Sequence, residues 1–170
     1  MEMDARNLAL LIQSLTSKKG NGHMKKRWTM IIVLIVTSSV FAGFKLPRRS
    51  YTIDQLEEAK EKSETTGKPI AFLYSNKNTT CPLAEDASTA MIKALKLRTI
   101  IVYLEDWNAA PENVKQALKK RGKYIPRIVV FNSKVDEELG LVTYTEVKTK
   151  GRKAFKDLLK KIRKYRKTKK

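Results

Sequence analysis

The sequence predicts an α/β domain: a central mixed sheet of about four strands with helices on both faces. Two observations predict it. Short β-branched or apolar runs, Ile70–Tyr74 and Thr99–Leu104, alternate with amphipathic stretches, which implies parallel pairing through helical crossovers. The later runs, Arg127–Asn132 and Leu141–Val147, are separated only by the polar turn Ser133–Glu138, which implies an antiparallel hairpin at the edge.

Ahead of this domain, residues 1–23 have weak character and form an uncertain extension, with Met24 a second candidate start. Met24-Lys-Lys-Arg followed by the sixteen uncharged residues Thr29–Phe44 reads as the basic and apolar regions of an export signal. Val40-Phe41-Ala42 places small residues for cleavage after Ala42, so residues 24–42 are expected to be a signal peptide or signal anchor. Sixteen residues is short for a membrane-spanning helix. The protein is therefore expected to be exported: periplasmic, secreted, or anchored to the membrane by residues 28–44. Residues 43–50 form a basic linker, residues 51–166 the domain and residues 167–170 a basic tail.

Thr52 and Gln55 form a capping box ahead of a helix that buries Ile53, Leu56 and Ala59 and ends near Gly67-Lys68-Pro69. The apolar strand Ile70–Tyr74 leads through the polar turn Ser75–Thr80 to Cys81-Pro82. Proline suits the first turn of a helix, where its missing N–H has no partner to lose, and Glu85 and Asp86 suit the dipole there. Leu83, Ala87, Ala90, Met91, Ala94 and Leu95 then make an apolar stripe at helical spacing. Thr99–Leu104 reads as a strand buried on both faces. Pro111 opens a helix through Lys120, and Lys123-Tyr-Ile-Pro126 precedes the strand from Arg127. The closing helix, Arg152–Tyr165, buries Phe155, Leu158, Leu159 and Ile162.

The composition excludes several chemistries. Cys81 is the only cysteine, so no internal disulfide forms. The only histidine, His23, lies upstream of the domain, which leaves no Ser-His-Asp or Cys-His pair in it. One thiol without an imidazole is a poor zinc ligand set, and no metal or other cofactor is expected. With 36 Lys and Arg against 17 Asp and Glu, the net charge is +19, which favours partners with negative surfaces. From Arg152 onward there are eleven basic residues and one acid, Asp157. That end is either a solvated rim or a contact for an anionic membrane or cell-wall polymer. Nucleic acid is disfavoured by the export signal and by the scarcity of aromatic platforms among the basic residues.

Two stretches carry a resemblance to the thioredoxin-like superfamily. One is the strand–turn–Cys81-Pro82–helix unit; the other is Tyr124-Ile125-Pro126-Arg127-Ile-Val-Val-Phe, which is similar to that family's hydrophobic-Pro dipeptide before its fourth strand. The resemblance covers about residues 51–165. It implies a cis Ile125–Pro126 bond facing Cys81, with Thr80, Pro82, Ile125 and Pro126 lining a substrate groove and Cys81 as nucleophile. The chain departs from the family at its redox motif. Cys81-Pro82-Leu83-Ala84 replaces Cys-x-x-Cys, with Ala84 where the resolving thiol stands, and Ile70–Tyr74 offers no buried acid. A gapless alternative places Cys81 at the second position and Asn78 at the first. In either register one thiol is missing. Dithiol chemistry is therefore not expected, because a lone thiol starts an exchange but needs an external thiol to finish it.

Three functions follow as expectations. The first is an exported binding or accessory module, weakly active at most in monothiol–disulfide exchange, whose partner is a protein thiol or disulfide or an extended peptide. The second is a monothiol oxidoreductase of the cell envelope using Cys81. The third is a basic scaffold for an anionic membrane or cell-wall polymer.

Overall fold

The computed structural model describes residues 43–120 and 124–169; the expected signal segment and cleavage point lie outside them. Ten elements follow in order: β1 (Tyr51–Thr52), α1 (Leu56–Thr66), β2 (Ile70–Tyr74), α2 (Pro82–Leu95), β3 (Ile100–Leu104), α3 (Glu112–Lys119), β4 (Arg127–Phe131), β5 (Glu138–Thr143), α4 (Tyr144–Lys150) and α5 (Lys156–Thr168). Short 3-10 helices precede α1, α3 and α5.

The five strands lie in the order β1-β3-β2-β4-β5. β3 pairs parallel with β2 and β1, whereas β4 runs antiparallel to β2 and β5 antiparallel to β4. The sheet has one strand more than expected. β1 is only two residues long, matched to Val102 and Tyr103 of β3, and so short a segment carries no periodicity of its own. A second difference follows β5. The alternation from Leu141 to Val147 reads as strand, yet the strand ends at Thr143 and α4 begins at Tyr144. The cause is local: Thr143 Oγ1 accepts from Glu146 N–H while the Glu146 carboxylate accepts from Thr143 N–H at 2.9 Å, a capping box that starts a helix there.

Alternation along the strands sends side chains to two separate cores. Ala71, Leu73, Ile101, Tyr103, Ile128 and Val130 face Met91, Ile92 and Leu95 of α2 and Leu158 and Ile162 of α5. Ile70, Phe72, Val102, Leu104, Val129 and Phe131 face Ala59 of α1 and Val114, Ala117 and Leu118 of α3. Helices thus cover both faces, α2, α4 and α5 on one and α1 and α3 on the other. The α5 stripe is buried as its spacing predicts, with Phe155, Leu158 and Ile162 inside and Leu159 packed against them. α1 ends where expected, because Gly67 takes the left-handed conformation (φ 62°) that closes a helix at little cost to glycine.

The segment before β1 is part of the fold rather than a loose linker. Phe44 is buried in the α2/α5 core and Leu46 packs beside it. Gly43 lies so close to the cysteine turn that a Cβ there would stand 2.7 Å from the Lys77 carbonyl oxygen.

Candidate functional site

The site lies at the C-terminal end of β2. Beyond Tyr74 the chain turns through Ser75–Thr80. Asn76 shapes the turn by accepting Asn78 N–H on its side chain (2.8 Å) and Thr79 N–H on its carbonyl (3.2 Å). Tyr103 clamps the turn from β3: its Oη donates to Ser75 O at 2.7 Å and accepts from Lys77 N–H at 2.9 Å. Burial, assisted by Glu105, raises the pKa of this phenol above its ordinary value, and the Lys77 N–H opposes the shift.

Cys81 follows as the N-cap of α2, in extended conformation, with Pro82 as the first helical residue. Its N–H donates to Thr79 Oγ1 (3.2 Å), and its carbonyl accepts from Ala84 and Glu85 N–H (3.1 Å each). The thiol makes no capping hydrogen bond and is exposed, as are Thr80 and Pro82. Beneath the helix start, Ser75 and Ser88 share a hydroxyl–hydroxyl bond of 2.9 Å, and Ser88 also donates to Ala84 O. Both serines are buried, and this neutral pair joins the end of β2 to the cysteine helix. Among the described residues no carboxylate is buried, and no three His, Cys, Asp or Glu side chains gather as a metal site.

The second part of the site precedes β4. The Ile125–Pro126 peptide is cis. Because Arg127 pairs with Tyr74, the Tyr124–Pro126 segment lies at the same end of the sheet as the cysteine turn. Pro126 is buried, and the exposed side chains are those before it, Tyr124 at 71% and Ile125 at 36%. Arg127 holds this segment. It is buried, its Nε donates to Tyr124 O at 2.9 Å, and its Nη1 donates to Leu118 O in the last turn of α3, where helix carbonyls lack intrahelical partners. Burial lowers the guanidinium's pKa from its ordinary value, and Tyr74 works against that shift.

Leu83 departs from the sequence expectation. Its spacing places it in the α2 stripe, yet it is 54% exposed, because the first turn of α2 projects past the end of the sheet. Ala87, Met91 and Leu95 of the same stripe are buried. Four large apolar side chains are exposed among the described residues: Leu83, Leu97, Tyr124 and Ile125. Three of them stand at the cysteine end. Sequence reasoning missed Leu83 and Tyr124 as surface groups and Tyr103, Ser75 and Ser88 as supports. Only Tyr124 had a signal, its place directly before Ile125-Pro126. No protein-family model matches the chain, and no curated protein matches it.

Proposed function

We propose that this chain is an exported thioredoxin-like domain without a resolving cysteine, which binds an extended peptide or protein segment at the rim formed by Leu83, Tyr124 and Ile125. The observation that carries this reading is the grouping of exposed apolar side chains at one end of the sheet. Isolated apolar residues on a surface need no explanation, but several at one end beside a structured turn suit a partner's apolar side chains. The strand order and the cysteine at the start of α2 support the thioredoxin-like assignment, and the Met24–Phe44 pattern supports export.

A second reading, a monothiol oxidoreductase, is favoured by the exposure of Cys81. Its thiolate attacks one sulfur of a partner disulfide, forms a mixed disulfide and expels the other sulfur as thiolate, which takes up a proton. An external thiol then attacks the mixed disulfide and restores Cys81, since Ala84 supplies no second thiol.

Full-length protein presented with a library of extended peptides, some carrying a disulfide, separates the two. The binding reading expects Cys81→Ser to retain peptide affinity and the triple variant Leu83→Ser/Tyr124→Ser/Ile125→Ser to lose it. The oxidoreductase reading expects a mixed disulfide that Cys81→Ser abolishes, together with faster alkylation of Cys81 than of a free cysteine near neutral pH. Retention of peptide binding by the triple variant overturns the rim as the binding site.

A further inference from the structure

The structure divides charge between its two helical layers. From α2 through α4 and the following 3-10 turn to α5, the layer carries twelve Lys and Arg against four Asp and Glu. The opposite layer, α1 and α3, carries four against five. The excess gathers on the outer side of α5, where Lys156, Lys160, Lys164 and Lys167 are exposed three or four residues apart. That spacing sets like charges side by side along the helix, which is unfavourable unless a negative partner offsets it. α5 has one acid, Asp157, 4.0 Å from Lys160.

The chain enters the domain on this same layer. The uncharged run Thr29–Phe44, preceded by Lys25-Lys26-Arg27, ends at Phe44, which is packed in the core shared by α2 and α5.

We propose that the outer ridge of α5 docks on an anionic phospholipid bilayer. Lysine ammonium groups displace the counterions of lipid phosphates, and the uncharged run Thr29–Phe44 gives the same chain a second, apolar means of engaging a bilayer. The ridge lacks an exposed aromatic to stack on bases: Tyr165 is half-buried, with its hydroxyl donating to Ser133 Oγ and accepting from Ser133 N–H. The inference does not depend on the apolar rim or on Cys81.

The test is co-sedimentation of the full chain with phosphatidylcholine vesicles, with and without phosphatidylglycerol. The ridge variant is Lys156→Gln/Lys160→Gln/Lys164→Gln/Lys167→Gln; the matched control is Lys60→Gln/Lys62→Gln/Lys115→Gln/Lys119→Gln, which removes equal charge from the other layer. Each juxtamembrane lysine is worth roughly a factor of five in binding, so the four-lysine ridge variant should lose about six-hundredfold on the anionic vesicles. The control should lose less than about threefold, and added salt should remove the difference between the two. Phosphatidylcholine alone should bind all three proteins alike through the apolar run. Equal loss in ridge variant and control, or no loss in either, overturns the proposal. So does tighter binding of the ridge to short duplex RNA than to the anionic vesicles. Circular dichroism on both variants checks that they are folded; if the ridge variant is not, charge-reversing it singly at Lys160 and Lys164 gives the same comparison.

Discussion

Phe44 meets Tyr103 edge to face, with ring centroids 6.2 Å apart and ring planes at 65°. This contact couples the entry segment of the domain to the residue that holds the cysteine turn. The turn is therefore supported from two sides, by Gly43 against the Lys77 carbonyl and by Tyr103 against Ser75 and Lys77.

Phe44→Ala should lower stability by about 3 kcal/mol, the usual cost of truncating a buried phenylalanine. Gly43→Ala should also destabilise, since its new methyl meets backbone, which moves less readily than a side chain. Denaturant titration of each variant checks this. A loss below about 0.5 kcal/mol for Phe44→Ala, the scale of an ordinary surface change, would show that the entry segment folds independently of the core.

Tyr103→Phe removes a donor and an acceptor from the cysteine turn and should cost about 1–3 kcal/mol, with faster hydrogen exchange at Lys77. It should also change the alkaline limb of stability. The folded-state pKa of Tyr103 is raised, so its contribution is complete below the unfolded value of 10.0 and is lost as pH climbs through the folded value. Stability measured from pH 9 upward should therefore fall more steeply in the wild type than in Tyr103→Phe; parallel curves would refute the assignment.

Ser75 and Ser88 should behave as a pair. Ser88→Ala leaves the Ser75 hydroxyl buried without its partner and should cost about 1 kcal/mol. The double variant Ser75→Ala/Ser88→Ala should cost less than the sum of the single changes, because it removes both ends of one interaction. Strict additivity in thermal melts would mean the two hydroxyls act independently.

Arg127→Met should expose the segment before β4 to motion. It deprives the Leu118 and Tyr124 carbonyls of a charged donor, at about 1.5–3 kcal/mol. Arg127→Lys should recover only part, since an ammonium cannot span the two carbonyls as a guanidinium does. Peptide binding at Tyr124 and Ile125 should weaken in proportion. Unchanged binding at reduced stability would separate the rim from its Arg127 support.

The cysteine helix was legible in the sequence because its determinants are local. An apolar run, a polar turn, a proline suited to the first helical position and acids in the first turn all fall within one short stretch. The two-residue β1 was not legible, because its extended state depends on Val102 and Tyr103, fifty residues away. The end of β5 was misread because alternation from Leu141 onward competes with the Thr143–Glu146 capping box, and the cap prevails. Leu83 shows the limit of periodicity. Its phase on the helix points to the core, but phase says nothing about where the sheet beneath stops. The role of Tyr103 was hidden for the opposite reason, since in a strand buried on both faces one hydroxyl reads as another apolar residue until its partners are placed.

The unequal helical layers also make the domain an electric dipole whose axis crosses the sheet. Near a negative surface such an object experiences a torque before it experiences adhesion. Within a screening length, about 10 Å at moderate salt, it rotates until α5 leads. Orientation is thus selected during approach, and the cysteine end, which lies at an edge of the layers, arrives facing along the surface rather than into it.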